Sequence, residues 1–414
     1  MKIRPGIIAK RTACLTLIGR LRQSADSIVI TLNEFTLKMC SHLVGSAALI
    51  CLIVGTAASA TGGEVFESRK AKFQVVTVAS GLNHPWSMVF LPSGEILVTE
   101  RSGTLRLIRS GVLQDTPVRG LPAISAKQDQ GGLLDIALDP DFEENRRLCI
   151  SYVAQGEGGR GTEIGCGIFR NDRLEDLQVI FRAVPKNKSG RHFGCRLLFA
   201  DGYLYATLGD RGKRPQAQDP GTHPGSVVRL FADGAIPPDN PFAGKSGHQP
   251  ELYTYGNRNP QGLARHPVTG AIWMHEHGPR GGDELNRVIA GANYGWPVIS
   301  YGKEYFLPKA VGEGTHKAGM EQPVYYWVPS IAPSGMAFYS GSLFPAWQNS
   351  LFIGSLKFQE LVRLELDAGR MVAEERLLGG EYGRIRDVRQ GLEGALYLLT
   401  DAAEGQLLKI APAD

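Results

Sequence analysis

The chain has 414 residues, 43% of them apolar and 21% charged, which are the proportions of an ordinary globular protein. Its formal net charge is only +4, and no run of Lys and Arg lies beyond the N-terminal region, so nucleic-acid binding is not expected. The 51 glycines and 24 prolines are spread along the chain, which indicates many tight turns between short strands.

The N-terminal region has the pattern of a secretory signal. An apolar run that follows Lys38 ends in Ala-Ser-Ala at 58–60, as such a signal does at its cleavage site, and the run is short for a membrane span. The residues before Met39 are either an overlong basic segment or an extension upstream of the true start. We therefore expect residues 1–60 to be an N-terminal extension with a signal peptide and residues 61–414 to form one domain. The expected location is periplasmic or secreted, without stable membrane insertion.

From about Phe73 onward the chain repeats a unit of strand, tight turn and strand. The pattern is clear in WSMVFLPSGEILVTE, in CRLLFADGYLYATLGD and in LFIGSLKFQELVRLELD. Repetition of this unit over about 340 residues predicts an all-β fold, a β-propeller, and four strands per blade favour six blades over seven. A pair of β-sandwiches is the alternative. The one candidate for a short helix is GDELNRVIAG at 282–291.

Two of the cysteines lie in neighbouring predicted strands. Cys149 and Cys166 are roughly equidistant from a Gly-rich turn at 156–161. This spacing is compatible with a cross-strand disulfide and equally with two buried thiols. The absence of a C-x-x-C-H motif argues against a covalently attached c-type haem.

Residues 255–297 hold the densest mixture of side chains suited to binding. Gly278-Pro279 predicts a tight turn that directs backbone carbonyls outward, and Asp283 and Glu284 follow with oxygens of the kind that Ca²⁺ prefers. A polar surface loop is the alternative. The other polar candidates in this stretch are Arg258, Asn259, Gln261, His275, Glu276 and His277.

Three further candidates lie before this stretch. His192 precedes a strand in SGRHFGCRLLF, where an imidazole can act as a general base, although a lone histidine is more often a surface residue. Asp210 ends a strand in LGDRG and either orients a histidine or caps its own turn. Gln130 is followed by two glycines, which either let the backbone approach a ligand or simply make a turn.

Three positively charged side chains near the end of the chain predict an anion site. Arg384 and Arg386 alternate on one face of an extended segment, and Lys357 follows an apolar strand. Together they suit a multiply anionic small ligand, and surface salt bridges are the alternative. Trp327 offers a flat face for a planar ligand or a sugar, with core packing as the default interpretation.

Taken together, these motifs resemble the soluble PQQ-dependent sugar dehydrogenases, in particular the aldose sugar dehydrogenase branch. The resemblance runs from about Gly81 to Asp401. It rests on these segments, in the family's order: GLNHPWSMVFLPSG, QGGLLDIALDPDF, RHFGCRLLF, YGNRNPQGLA, HEHGPRGGDELN, NYGWP, WVPSIAPSG, SLK and RIRDV. It implies a six-bladed propeller that oxidises aldose sugars to lactones, with pyrroloquinoline quinone (PQQ) at its mouth, bound Ca²⁺ and an external electron acceptor.

The resemblance also implies a role for each matching residue. His192 would be the general base, supported by Asp210. The residues that would contact the quinone are Gln130, Arg258, Asn259, Gln261, Lys357, Arg384 and Arg386. The carbonyls of Gly278 and Pro279 would bind a catalytic Ca²⁺, whereas Glu284 and the carbonyl of Tyr294 would hold a second, structural Ca²⁺. His275 and His277 receive no role. The competing functions are a calcium-dependent propeller lactonase and a non-catalytic propeller that binds carbohydrate or protein.

Overall fold

The computed structural model describes residues 64–127, 129–306 and 309–413. The predicted extension and signal peptide at 1–60 lie outside these residues, so the proposed domain boundary stays a prediction. No helix within the described ranges is long and apolar enough to cross a membrane.

The described chain is built almost entirely of short antiparallel strands. The first five-stranded sheet takes two strands from the start of the chain, β1 (Glu64–Glu67) and β2 (Lys72–Leu82). The next two sheets are β3 (Pro85–Phe90), β4 (Ile96–Glu100), β5 (Thr104–Arg109) and β6 (Val112–Leu113), then β7 (Leu133–Leu138), β8 (Arg147–Gly156), β9 (Gly159–Arg170) and β10 (Arg173–Arg182). The following two sheets are β11 (Gly194–Ala200), β12 (Tyr203–Leu208), β13 (Ser226–Leu230) and β14 (Leu252–Tyr255), then β15 (Pro260–Arg265), β16 (Ile272–Glu276), β17 (Asp283–Arg287) and β18 (Tyr325–Trp327). The last strands are β19 (Pro333–Phe338), β20 (Leu351–Ser355), β21 (Glu360–Asp367) and β22 (Arg370–Leu377), then β23 (Ile385–Gln390), β24 (Leu396–Thr400) and β25 (Gly405–Pro412).

The six sheets are the blades of a propeller, as predicted. Blades 1 to 5 each use four consecutive strands, from β3–β6 to β19–β22. Blade 6 has the order β1-β2-β25-β24-β23, so it joins strands from both ends of the described chain. In this blade Val75 on β2 lies opposite Ile410 on β25. Such closure leaves no long unpaired edge between the first and last blades.

Apolar side chains fill the space between adjacent blades. Leu97 of β4 packs with Ile136 of β7, which joins blade 1 to blade 2. Likewise Met88 of β3 packs with Leu399 of β24, which joins blade 6 to blade 1. The first strand of each blade contacts the first strand of the next all the way round the ring, from β3 through β23 and back to β3. The central channel is therefore walled by six inner strands.

Each inner strand carries a shift of register near its beginning. The shifts fall between residues 85 and 87, 133 and 136, 194 and 197, 260 and 262, 333 and 336, and 385 and 387. A bulge of this kind bends a strand and turns a side chain out of its regular direction. The six bulges lie at the same end of the ring, where the candidate site is found.

Little helix is present in the described residues, and one helix expectation is wrong. The single α-helical turn, α1, is Phe142–Asn145, and Arg214–Gln218 and Pro345–Trp347 are 3-10 turns. The stretch 282–291, which was the candidate helix, instead supplies β17. There Leu285 is fully buried while it pairs with His275 and Tyr325 on both neighbouring strands.

Of the two arrangements that the sequence allowed for the cysteines, the structure has the disulfide. Cys149 on β8 and Cys166 on β9 are directly opposite in the register and are bonded to each other.

Candidate functional site

A cavity of about 260 Å³ opens at the bulged ends of the inner strands. Five of the residues predicted to bind a cofactor line it: Gln130, Asn259, Gln261, Arg384 and Arg386. They come from three different blades or the loops before them, so only the closed ring brings them together. Trp86 and His277 line the same cavity.

His192 and Asp210 form a hydrogen-bonded pair at the edge of this cavity. The imidazole Nδ1 lies 2.6 Å from Asp210 Oδ1. Because Gly212 N–H and Trp296 Nε1–H also donate to this carboxylate, at 2.7 and 2.8 Å, it acts as an acceptor throughout. His192 Nδ1 therefore carries the proton, and its Nε2 is the basic nitrogen.

Burial lowers the pKa of His192 below its usual 6.5, although Asp210 acts in the opposite direction. The imidazole is therefore neutral at neutral pH. Conversely, the pKa of Asp210 is held below its usual value. Burial alone would raise it, but the hydrogen bond from His192 and the charges nearby outweigh that effect. A neutral histidine beside an ionised carboxylate is the arrangement that a general base needs.

The backbone at His192 is fixed from two sides. Its φ is 54°, in the left-handed region, and its N–H donates to Gln130 Oε1 at 2.7 Å. A Cβ at Gly209 would lie 2.3 Å from the carbonyl oxygen of His192, so only glycine fits there. The side chain of His192 is 11% exposed. The residues that follow it, Phe193 and Gly194, line the cavity.

Asp401 binds both of the predicted arginines of blade 6. Its Oδ2 accepts hydrogen bonds from Arg386 at 3.0 Å and from Arg384 at 3.2 Å, and His84 Nδ1 lies 2.8 Å from its Oδ1. Although burial would raise the pKa of Asp401, the charge of Arg386 and the hydrogen bond to His84 keep it well below the usual value. Two guanidinium groups thus share one carboxylate, which leaves positive charge on this wall of the cavity.

Arg258 and Asn259 belong to blade 4 and lie just before β15. Asn259 lines the cavity, and its Oδ1 accepts a hydrogen bond from Gly194 N–H at 3.2 Å. Arg258 donates to the carbonyl of His277 at 2.9 Å and to the hydroxyl of Tyr305 at 3.2 Å. It stands beside the cavity rather than in its wall.

Two predicted residues are not brought to the cavity. Lys357 is exposed, and its Nζ lies 4.9 Å from the centre of the Phe358 ring. Trp327 is buried in the core between blades 4 and 5, where its Nε1 donates to Glu374 at 2.9 Å. The structure therefore places Trp327 in the core, as its default interpretation has it, and away from the cavity.

A second, much smaller space of about 10 Å³ lies beside Arg258. Three of the four predicted metal-binding residues line it: Gly278, Glu284 and Tyr294. The fourth, Pro279, does not, and its carbonyl accepts a hydrogen bond from Lys303 N–H at 3.1 Å. A space of this size holds about one water molecule or one ion.

Two carboxylates face this small space. Glu276 also lines it and lies directly opposite Glu284 in the pairing of β16 with β17. Burial raises the pKa of Glu276 above its usual value, and burial together with the charge of Glu276 raises the pKa of Glu284. Glu276 accepts hydrogen bonds from Asn257 and from two backbone N–H groups, whereas Glu284 accepts one, from Asn286 at 3.2 Å, among the described residues. A hard cation in the small space would offset the repulsion between the two carboxylates.

Carboxylates alone would not complete such a metal site. Within the described ranges, no group of three or more His, Cys, Asp or Glu side chains is placed to hold a metal ion. Backbone oxygens would have to supply the remaining ligands, as the sequence led us to expect for Gly278, Pro279 and Tyr294.

Asp283 binds the surrounding loops and does not line the small space. It accepts hydrogen bonds from Gly278 N–H at 2.8 Å, from Ser330 Oγ at 2.7 Å, and from the N–H groups of Ile331 and Ala332 at 2.8 and 2.9 Å. Burial raises its pKa to about 6. Because Ala332 lines the cavity, Asp283 connects the Gly278 turn to the cavity wall.

The sequence did not identify the ionic network beneath the cavity. Arg196 donates to Asp135 at 3.1 Å and to Asp387 at 3.0 Å, and Arg389 bonds the same two carboxylates, both at 3.0 Å. The guanidinium of Arg196 lies 4.3 Å from the ring centre of Trp86, which lines the cavity. This network joins β7, β11 and β23 across the channel and forms the floor under the cavity.

Comparison with known proteins places this geometry in context. A model of the family described as glucose/sorbosone dehydrogenase matches residues 82–409. The chain is 45% identical over 350 residues to the Escherichia coli (strain K12) protein named aldose sugar dehydrogenase YliI, which covers 83% of this chain and 94% of that protein.

Solved structures of sugar dehydrogenases are also similar to this chain. A crystal structure described as glucose dehydrogenase is 50% identical with a TM-score of 0.80, and the match covers 82% of this chain and all (100%) of that chain. The PQQ-bound form of an aldose sugar dehydrogenase from Streptomyces coelicolor is 30% identical with a TM-score of 0.68, covering 82% of this chain and 99% of that chain.

Proposed function

Since the chain belongs to the glucose/sorbosone dehydrogenase family and is an oxidoreductase of the aldose sugar dehydrogenase type, we propose that it oxidises aldoses at the anomeric carbon to lactones with PQQ and Ca²⁺. The observation that carries this proposal is the His192–Asp210 pair at the edge of a cavity with a cationic wall. The pair provides a base, and the wall provides a place for an anionic cofactor.

The cavity fits PQQ by the chemistry of its donors. PQQ is a planar molecule with three carboxylates, and Arg384 and Arg386 present guanidinium groups that match carboxylates in shape and charge. Asn259, Gln261 and Gln130 add amide groups, which can bind carbonyl oxygens or ring nitrogens. Lys357 would reach the cofactor only after its side chain has turned away from Phe358. When bound, PQQ would supply the acceptor for the two electrons of the sugar, and an external acceptor would reoxidise it.

The small space beside Glu276 and Glu284 fits one Ca²⁺ ion. Two partly desolvated carboxylates with raised pKa values would both be ionised in the presence of the metal. Tyr294 and Gly278 line the same space and would contribute carbonyl oxygens. The turn at Gly278–Pro279 follows His277, which lines both this space and the cavity, and it would hold the second ion, the one that serves the cofactor. Because the carbonyl of Pro279 already accepts one hydrogen bond, one of its lone pairs is left for a metal.

The roles of the protein side chains follow from their hydrogen bonds. His192 Nε2 would accept the proton of the anomeric hydroxyl, because Nδ1 is engaged with Asp210. Asp210 stays ionised and stabilises the imidazolium that results. Gln130 fixes the His192 backbone and lines the cavity, so it would position both the base and the substrate.

We also propose a periplasmic or secreted location. Its support is the signal pattern at 1–60 and the Cys149–Cys166 disulfide, since such bonds persist in oxidising compartments.

The test is reconstitution of the protein from residue 61 onward after removal of metal and cofactor. We expect dye-linked oxidation of glucose only when both PQQ and Ca²⁺ are added. Failure to oxidise any of a panel of aldoses after reconstitution would overturn the proposal. Hydrolysis of lactones with Ca²⁺ alone would instead identify a lactonase.

A further inference from the structure

A second depression, which we call the side cleft, adjoins the cavity. It has a volume of about 590 Å³ and is lined by residues that include His84, Arg101, Lys127 and Asp129. Arg101 lines both the side cleft and the cavity. The two also meet at neighbouring residues, because Asp129 lines the side cleft and Gln130 lines the cavity. The side cleft is thus an extension of the candidate site and leads away from it.

The charges in the side cleft are mainly positive. The guanidinium of Arg101 and the ammonium of Lys127 make no ion pair with any residue that the structure describes. The one carboxylate, Asp129, is already neutralised by a salt bridge with Arg160 and accepts a hydrogen bond from Gly131 N–H at 2.8 Å. His84 is engaged with Asp401. Arg101 is near enough to Asp401 to help lower the pKa of that carboxyl, but it forms no salt bridge with it, so two cationic groups remain for a ligand.

The position of Arg101 is fixed by its backbone. Its N–H donates to the carbonyl of His84 at 3.1 Å. A Cβ at Gly132 would lie 1.8 Å from the carbonyl oxygen of Arg101, and the φ of Gly132 is 149°. Glycine at this position therefore lets the turn that carries Arg101 press against the strand beside the cavity. Arg101 is held at the junction of the two spaces by packing, not by an ion pair.

The size of the cavity requires such an extension. Pockets that bury a drug-sized ligand are about 300–1,000 Å³, and the cavity of about 260 Å³ is at or below the lower limit. A planar tricyclic cofactor would take up most of a cavity of this size. The remote end of a sugar that reacts at its anomeric carbon beside His192 would then extend out of the cavity, and the side cleft is a space that adjoins Gln130.

We propose that the side cleft binds the anionic group of an acidic aldose, a carboxylate or a phosphate carried at the end remote from the anomeric carbon. This inference rests on the proposed function, since it names a substrate class for the same site. Arg101 would bind the anionic group in a bidentate manner at the junction, and Lys127 would add a second charge from the exposed rim. The unpaired cations, the shared wall and the limited volume of the cavity all support this assignment.

The main experiment compares acidic and neutral sugars in the reconstituted enzyme. The quantity measured is the ratio of kcat/KM for glucuronate to that for glucose, and the same ratio for glucose 6-phosphate. Lys127→Glu should lower both ratios about tenfold by charge reversal, and Lys127→Ala about threefold. Lys245→Ala is the matched control, because Lys245 is an exposed lysine outside both spaces; it should leave the ratios unchanged. Loss of only one ratio would identify the carboxylate or the phosphate as the preferred group.

A binding measurement separates this inference from the proposed function. Calorimetric titration of the apoprotein with glucuronate should give binding that Lys127→Glu weakens and that added salt weakens further. If glucose is oxidised but Lys127→Glu leaves both ratios and the titration unchanged, the side cleft does not bind anions and the proposed function stands. If no aldose is oxidised but glucuronate binds in a manner that depends on Lys127, the proposed function fails and the anion site stands.

Discussion

His192 Nδ1 lies 2.6 Å from Asp210 Oδ1, and the same carboxylate is held by the indole of Trp296. In every described side-chain hydrogen bond of Asp210 the carboxylate is the acceptor. The pair thereby fixes which nitrogen of His192 is basic, and it does so before any substrate is present.

Asp210→Asn should lower kcat by roughly 10- to 100-fold. An amide has one acceptor oxygen, so its NH₂ group must face either Trp296 Nε1–H or the two donors at Oδ1, and at least one donor is left without an acceptor. Stopped-flow measurement of cofactor reduction would report the loss. Asp201→Asn is the control, because Asp201 is exposed and paired with Arg265. Unchanged kcat in Asp210→Asn would show that the carboxylate only caps its turn.

The pH dependence should reveal the burial of His192. Its pKa in the folded protein lies below 6.5, and only the neutral form accepts a proton. Activity therefore persists as the pH falls through 6.5 and is lost at a lower pH, where the imidazole becomes charged. The kcat/KM profile for glucose reports this group in the free enzyme. An acidic limb at or above pH 6.5 would contradict the role given to His192.

The two arginines of blade 6 should respond differently to truncation. The side chain of Arg384 is 46% exposed, whereas that of Arg386 is 8% exposed and also contacts Gln261. Arg384→Ala should weaken PQQ binding with little loss of stability. Arg386→Ala should weaken PQQ binding and also destabilise the protein by about 1–3 kcal/mol, because Asp401 and Gln261 each lose a partner.

Fluorescence titration with PQQ and thermal unfolding of the apoprotein measure the two effects separately. Arg265→Ala, at an exposed surface pair, is the control for both. Equal loss of stability in the two variants, with PQQ affinity intact, would mean that these arginines serve only the fold.

Calcium should stabilise the apoprotein through the small space between β16 and β17. At a Ca²⁺ concentration a hundredfold above Kd, the gain is about 3 kcal/mol, which differential scanning calorimetry would detect. Glu284→Gln should abolish this gain, because it removes one of the two carboxylates that face the ion. Glu313→Gln, at an exposed residue paired with Lys317, should retain it. A full calcium response in Glu284→Gln would place the ion elsewhere.

The propeller could be predicted because its signal is repeated. Each blade supplies apolar strands and glycine turns at a regular spacing, so an error in one blade does not change the architecture. The stretch 282–291 shows the limit of local reasoning. Its polar residues, with Leu285 between them, suit a helix, yet pairing with both β16 and β18 makes it a strand. That pairing is a tertiary contact which no local pattern reports.

Within the site, the residues of the sequence motifs could be predicted, whereas the residues that hydrogen-bond to them could not. Asp401 was missed although it follows a strand as Asp210 does; acidic residues occur at or just after the end of the second strand in five blades, as Glu100, Glu157, Asp210, Glu276 and Asp401. Comparison of blades would have revealed this signal. Trp327 was misplaced because neighbouring residues of a strand face opposite sides: in β18 Tyr326 is exposed whereas Trp327 is buried, and the sequence does not state which of them faces inward.

The pairing of β2 with β25 determines when, relative to its synthesis, the protein can bind its cofactor. The wall that carries Arg384, Arg386 and Asp401 belongs to the blade that needs strands from both the beginning and the end of the propeller. A nascent polypeptide that lacks β25 has no complete wall and no closed channel. Cofactor loading is therefore a step that follows complete synthesis of the domain, and a partly made chain has nothing with which to retain the quinone.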